Sequence, residues 1–430
     1  MGSSGGLVVA SVPWPRPYTP SPWGDFFLHH QPYSSSKLVS MKERARVKQA
    51  QVIQIILDSG ASSDLAAKLE LIDTLERIGV GYHYVKEIDE LLRIVHEHQE
   101  EGCGDLYVTS LRFYLLRRHG YNASSDVFMK FRDDQGNFAC NGDVKCLLEL
   151  YDAAHLRTHG EDILEGAITF TKCRLQSIME TLDPELAKEV QITLETPRYR
   201  RVERVEARRY ISAYEKKTTR DDIILEFAKL DYNILQALHC EELKALTLWW
   251  KNLQSGAYVR FARDRVVEMH FWIHGVVYEP YSRIMLTKLL KLVSLMDDFC
   301  DNYSTTKESD AFTTALERWD EHAAEKFPAY MKALYNFIVN TTNDIVEELK
   351  LQGSKHAELV KKLLIDVAKR YNAEVKWRDK HYAPAKVEEH LQISVTTSVC
   401  MHLTNFAFIS LGDVTTQEAI DWVSSYPKNN

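Results

Sequence analysis

The sequence predicts an all-α protein made of two helical domains, and three observations carry that prediction. Glycine at 18 and proline at 12 are sparse in a chain of 430 residues, which leaves few of the turns that a many-stranded β fold needs. From residue 41 onward apolar residues recur at helical spacing, the mark of helices with one buried stripe. Hydrophobic residues make up 45% and charged residues 27%. That composition excludes disordered, collagenous and low-complexity chains and is enough to fill large cores.

Residues 1–40, with "PWPRPYTPSPWGDFF", read as an extended arm lying across a domain, because each proline fixes φ and turns its predecessor away from helix. The start has no basic n-region and only Arg16 ahead of Lys37, so neither a secretory nor an organelle-targeting leader is expected and the cytosol follows. Leu65, Leu69 and Ile72 open the first helical domain, 41–217, with Ser62 and Ser63 as candidate N-caps. Arg198–Arg209 ("RYRRVERVEARR") is basic, but its interleaved glutamates point to a solvated helix face rather than a nucleic-acid site. The polar stretch Glu215–Asp222 is the expected seam, with Thr218 and Asp221 spaced like a capping box for the next helix.

The second domain, 218–430, begins with the face Phe227, Leu230, Ile234 and Leu238. Further on, Val360, Leu363, Leu364, Val367 and Tyr371 form another. Between them Ile284–Met296 is apolar nearly all round and marks a buried helix. A net charge of −8 gives no general pull toward nucleic acid or an anionic membrane, and no uninterrupted apolar run approaches the ~18 residues of a membrane span. Repeats at solenoid periods are absent, which argues against a pure scaffold. Seven scattered cysteines without a CxxC pair read as reduced core thiols.

The chemistry concentrates where the buried helix ends, in "LMDDFCDNY". Asp297 and Asp301 are i, i+4 neighbours, so like charges share a face, and acids at a helix C-terminus also oppose the macrodipole. Either a cation compensates them, and oxygen-only ligands suit Mg²⁺, or the acidic end frays into solvent. Upstream, "RFARDRVVEMHFW" offers Arg263 and Arg265 as guanidinium forks for a diphosphate and Trp272 as an aromatic face for a cation. Taken singly, an RDR is an ordinary ion-pair cluster and a lone tryptophan an ordinary core residue.

The chain resembles the plant terpene synthases, and most closely the cytosolic sesquiterpene synthases. The resemblance runs in order through "YTPSPWGDFF", "LELIDTLERIGVGYHY", "SLRFYLLRRHGYNASSDVF", "AAHLRTHGEDIL", "ILEFAKLDYNILQ", "LWWKNL", "RFARDRVVEMHFW", "VYEP" and "DDFCD". It implies an N-terminal helical barrel without chemistry of its own and a C-terminal helical domain holding the active site. In that family Asp297, Asp298 and Asp301 form the aspartate-rich metal motif, with Asp297 and Asp301 as direct ligands. Arg263 and Arg265 bind the departing diphosphate, and Trp272 faces carbocations. The implied reaction is the ionisation and cyclisation of farnesyl diphosphate to a sesquiterpene, with Mg²⁺ as cofactor and Mn²⁺ able to serve. The implied enzyme is a monomer acting on a prenyl diphosphate, with neither nucleic acid nor membrane as partner.

Family members often carry paired arginines eight residues before an early tryptophan; here only Arg16 precedes Trp23, which favours farnesyl diphosphate over a plastid monoterpene role. They also carry a second metal motif, (N/D)D(L/I/V)x(S/T)xxxE. "NDIVEELKL" from Asn343 has Glu347 and Leu351 in the wrong places, and "GDVTTQEAI" reads as a capping box of Thr415 and Glu418. Without that motif, the expectation is slow turnover, an exposed apolar patch, and an alternative reading as a weakly active or inactive homologue. The geometric expectation is that Asp297 and Asp301 face a cavity also reached by Arg263, Arg265 and Trp272. His155 and His159 are a weaker zinc candidate without a third ligand, and GxSxG, GxxxxGK[ST], GxGxxG and DxDD are absent.

Overall fold

The computed structural model describes residues 18–97, 104–140, 142–254 and 261–426. Among them the regular structure is helical, with a single isolated bridge between Arg132 and Phe138. The chain opens with a helical turn, α1 (Phe26–His29), then α2 (Ser35–Ala61), α3 (Leu65–Arg77), α4 (Val85–Glu97), α5 (Leu106–Arg118) and α6 (Val144–Ala154). Next come α7 (Asp162–Ile178), α8 (Pro184–Glu195), α9 (Glu203–Tyr214), α10 (Asp222–Gln254), α11 (Val266–Ile273) and α12 (Pro280–Asn302). The last six are α13 (Thr306–Arg318), α14 (Ala329–Leu351), α15 (Leu359–Asp379), α16 (Val387–Thr397), α17 (Cys400–Ser410) and α18 (Gln417–Ser424).

Two compact units divide these elements, Tyr33–Ala237 and, in the other, residues up to Pro32 together with Leu238 onward. The expected seam Glu215–Asp222 is the loop between α9 and α10. The expected arm ends before residue 41, because Ser34 caps α2 by accepting from Lys37 N–H at 3.4 Å. In Tyr33–Ala237 the core is built from Leu69, Ile72, Leu92, Tyr114, Leu150 and Leu164, all buried.

Several caps lie beside the residues that the sequence pattern favours. Asp64, not Ser62 or Ser63, caps α3 through Ala67 N–H at 3.0 Å. Asp221, not Thr218, caps α10 by accepting from Ile223 and Ile224 N–H at 2.8 and 3.0 Å. Thr416, not Thr415, caps α18 through Ala419 N–H at 3.2 Å. The one complete capping box found among the described helices is Thr305 with Glu308 at α13.

The basic stretch is a solvated face only in part, with Arg200 and Arg208 exposed. Arg198 and Arg201 are only 9% and 8% exposed in their side chains. Arg198 pairs with Asp73 and Glu76 of α3, and Arg201 with Glu206 at 3.1 Å. Arg198 and Arg201 are therefore engaged within the unit. The same junction explains Gly79: its φ is +85°, and a Cβ there would lie 2.6 Å from the Ala207 Cβ of α9.

The second unit is organised on α12, whose Leu289, Leu292, Leu295 and Phe299 are fully buried, with the α15 face of Val360, Leu363, Leu364, Val367 and Tyr371 in the same core. Phe27 of α1 packs with Cys240 and Leu243 of α10, so α1 is docked in this unit. Among the described cysteines none is disulfide-bonded; Cys140, Cys146, Cys240 and Cys300 are buried, Cys173 and Cys400 exposed, and Cys103 lies outside the described residues. The stretch Val387–Ser410 is long and apolar enough to cross a membrane by length and composition, with mean hydropathy 1.2. It is not one rod: Val399 at φ 62° breaks it into α16 and α17, and Phe406 and Ile409 are fully buried in the core. On α16, Val387, Leu391 and Val395 share one face and are exposed.

Candidate active site

The site grows from the C-terminal turns of α12, where Asp297, Asp298 and Asp301 precede the C-cap Tyr303. The helix runs intact through all three, so the alternative of a frayed acidic end does not hold. Asp298 is 0% exposed, and Arg263 occupies both its oxygens. The Arg263 backbone N–H donates to Oδ2 at 2.9 Å and its Nε to Oδ1 at 2.5 Å. The same guanidinium donates to Asp297 Oδ2 at 2.8 Å. Asp298 thus latches the segment ahead of α11 onto α12.

A buried lysine completes the latch. Lys291 Nζ donates to the Arg263 carbonyl and stands 4.1 Å from the centroid of the Trp250 ring. Burial pushes the Lys291 pKa down to about 8, against the pull of Asp298 and Asp264.

Asp297 and Asp301 are different from Asp298. Asp297 is 32% exposed in its side chain. Burial, and then the neighbouring Asp301 charge, push its pKa up to about 6 against the Arg263 guanidinium. Burial also raises Asp301, and among the described residues no cation pairs with its carboxylate. Arg378 of α15 hydrogen-bonds this turn only through backbone carbonyls, from Nη1 to Cys300 and to Asp301 at 2.9 Å and from Nη2 to Ser304 at 2.7 Å. It therefore answers the helix dipole by hydrogen bonds and touches the Asp301 carboxylate only through its charge. Tyr371 and Glu374, also on α15, stand within electrostatic reach of the acidic pair.

Two hard oxygen donors that repel each other and lack a full complement of cations fit a small divalent ion that keeps water in its shell. Asp298, with both oxygens engaged, is placed to hold Arg263. From the start of the chain Tyr18 covers the rim: Asn302 Nδ2 donates to its hydroxyl at 2.9 Å, and the Arg263 guanidinium lies 5.6 Å from its ring centroid. Nothing in the sequence pattern pointed to Tyr18 or Arg378.

Of the other predicted residues, Arg265 precedes α11, is exposed, and forms no ion pair among the described residues. Trp272 is 51% exposed on α11, beside exposed Phe271. The structure brings Arg263 to the aspartates; it shows no hydrogen bond, ion pair or ring contact of Arg265 or Trp272 with them among the described residues. His155 lies past the end of α6, its Nδ1 bonded to the Tyr151 carbonyl at 2.8 Å, and His159 is exposed, so the two share no helix face. Asn343 is engaged by Trp319 Nε1 at 3.0 Å.

Known proteins carry the same organisation. Residues 22–194 match the family model described as terpene synthase, N-terminal domain, and residues 251–429 match terpene synthase family, metal binding domain. The chain is 54% identical over 410 residues to (E)-beta-caryophyllene synthase of Zea mays, covering 94% of this chain and 74% of that protein. It is 45% identical over 416 residues to beta-sesquiphellandrene synthase of Sorghum bicolor, covering 96% and 75%. Isoprene synthase from grey poplar leaves (Populus x canescens), solved with three Mg²⁺ ions and dimethylallyl-S-thiolodiphosphate, superposes with a TM-score of 0.83 at 33% identity, covering 90% of this chain and 75% of that one. By extent and identity of match, the chain belongs to the terpene synthase family and carries its divalent-metal-binding domain.

Proposed function

We propose that this chain is a sesquiterpene synthase, a lyase that ionises and cyclises farnesyl diphosphate with Mg²⁺ and releases diphosphate. The observation that carries the proposal is the under-compensated carboxylate pair Asp297 and Asp301, held at the end of α12 while Asp298 engages Arg263. The named relatives at 54% and 45% identity are sesquiterpene synthases. They favour turnover over the alternative of a homologue that retains only weak diphosphate binding.

Asp297 and Asp301 would hold Mg²⁺, and Mn²⁺ suits the same oxygen donors. When bound, the ion supplies Lewis-acid withdrawal of charge from the diphosphate. The chain's own groups do the rest. Arg265, exposed and without an ion pair among the described residues, presents its guanidinium fork to diphosphate oxygens. Arg263, fixed by Asp298, places a positive charge at the turn that carries the aspartates. With that charge in place the allylic C–O bond breaks heterolytically, and the electron pair leaves on the diphosphate oxygen without a protein nucleophile. Trp272 offers a π face to the resulting cation, an interaction of about 2 kcal/mol where water is excluded.

Calorimetric titration of the chain with farnesyl S-thiolodiphosphate, which resists ionisation, tests the assignment. Binding is expected to need Mg²⁺ and to be lost in the Asp297→Asn/Asp301→Asn double variant. Equal Mg²⁺-dependent binding by that variant would overturn the assignment.

A further inference from the structure

Away from the aspartates, three imidazoles converge between α10 and α11. His239 comes from α10, and His270 and His274, four residues apart, from α11 and its C-cap. One ligand atom from each lies within 4.8 Å of the other two. The rings meet edge to face, with centroids 4.3 Å apart for His239 and His274, 4.7 Å for His270 and His274, and 6.0 Å for His239 and His270. We propose that His239, His270 and His274 form a binding site for a divalent transition-metal ion, zinc foremost, separate from the aspartate site.

Hydrogen bonds fix each ring by one nitrogen. His270 Nε2 bonds Glu242 Oε2 at 2.8 Å, His239 Nδ1 approaches the same oxygen at 3.4 Å, and His274 Nδ1 bonds the His270 carbonyl at 2.7 Å. Glu242 is itself clamped by Arg283, from Nη2 to Oε1 at 2.6 Å and from Nε to Oε2 at 3.0 Å. A carboxylate behind a ligating imidazole sets its tautomer and orientation, as in zinc proteins generally. Imidazole nitrogens select zinc, copper or nickel, whereas the oxygens of Asp297 and Asp301 select magnesium. Three protein nitrogens leave a fourth position open, and His239 and His274 are both partly exposed, so water or a solute can complete the shell.

The third ring stands outside the carboxylate network. Glu242 and Arg283 satisfy each other in the interior, while His274 bonds no carboxylate. Its neighbours are the His239 and His270 rings, whose centroids lie 4.3 and 4.7 Å away. A metal here would tie α11 to α10 and so fix the helix that carries Phe271 and Trp272.

The test uses the full chain, stripped with a chelator and returned to excess Mg²⁺ so that the aspartates are supplied. Zinc uptake is measured by competition with a chromophoric chelator, and Co²⁺ is substituted to read the visible d–d absorption of a low-coordinate nitrogen site. The expected result is one tightly held equivalent that persists in Asp297→Asn/Asp301→Asn. It should weaken by at least about a hundredfold in His274→Leu and in His239→Gln, each with an unchanged metal-free melting midpoint. No zinc uptake by the native chain, or uptake undiminished in both histidine variants, would overturn the proposal.

Discussion

Replacing Asp297 and Asp301 with asparagine is expected to lower the turnover of farnesyl diphosphate by about 10²–10³, because several kcal/mol of charge stabilisation at the leaving group are lost. The fold should survive. Both side chains reach solvent, and asparagine removes buried charge whose burial raises both carboxyl pKa values, together with the Asp301 charge that raises Asp297 further. Asp298→Asn should behave in the opposite way. Its carboxylate is wholly buried and receives two bonds from Arg263, so the loss falls on stability, by about 1.5–3 kcal/mol for a charged hydrogen-bonded partner. Steady-state kinetics and thermal melts on the three single variants separate ligand from latch. Equal turnover by wild type and Asp301→Asn would remove Asp301 from the metal site.

Glu242→Ala is expected to be the most destabilising single change in the second unit. Glu242 and Arg283 are each 3% exposed and joined by two charged hydrogen bonds. Truncating the acid leaves a guanidinium buried without its counter-ion, an effect of about 3–5 kcal/mol. For a unit of this size that corresponds to a fall of roughly 10 °C in melting midpoint. Measured with a chelator present, the fall reports the pair alone and not any metal at the histidines. Replacing both partners, Glu242→Leu with Arg283→Met, should recover much of the loss, since a buried pair contributes little beyond an apolar substitute of similar volume. A drop below about 1 kcal/mol in Glu242→Ala would contradict this account.

What the sequence made legible depended on how locally each feature is encoded. The buried helix ending in three aspartates was visible because its apolar periodicity and its acidic end lie within one segment, now α12. The division of labour among those aspartates was not, since it turns on Arg263 arriving from 34 and 35 residues upstream. The Arg198–Arg209 stretch looked solvated for the same reason: Asp73 and Glu76, which neutralise Arg198, sit on α3. The helix starts were found, but their caps moved by one to three residues. Clusters such as Ser62, Ser63 and Asp64 offer several competing oxygens, and the backbone approach selects among them. The histidine cluster combines an i, i+4 pair near α11 with a partner on α10, and only the packing of those helices brings the third ring in.

The most direct measurement of the central claim is incubation of the chain with farnesyl diphosphate, with and without Mg²⁺, followed by gas-chromatographic analysis of the volatiles. The account predicts a sesquiterpene that appears with Mg²⁺, vanishes with chelator, and is absent from Asp297→Asn/Asp301→Asn. No sesquiterpene under any condition, or one formed equally by the double variant, would contradict it.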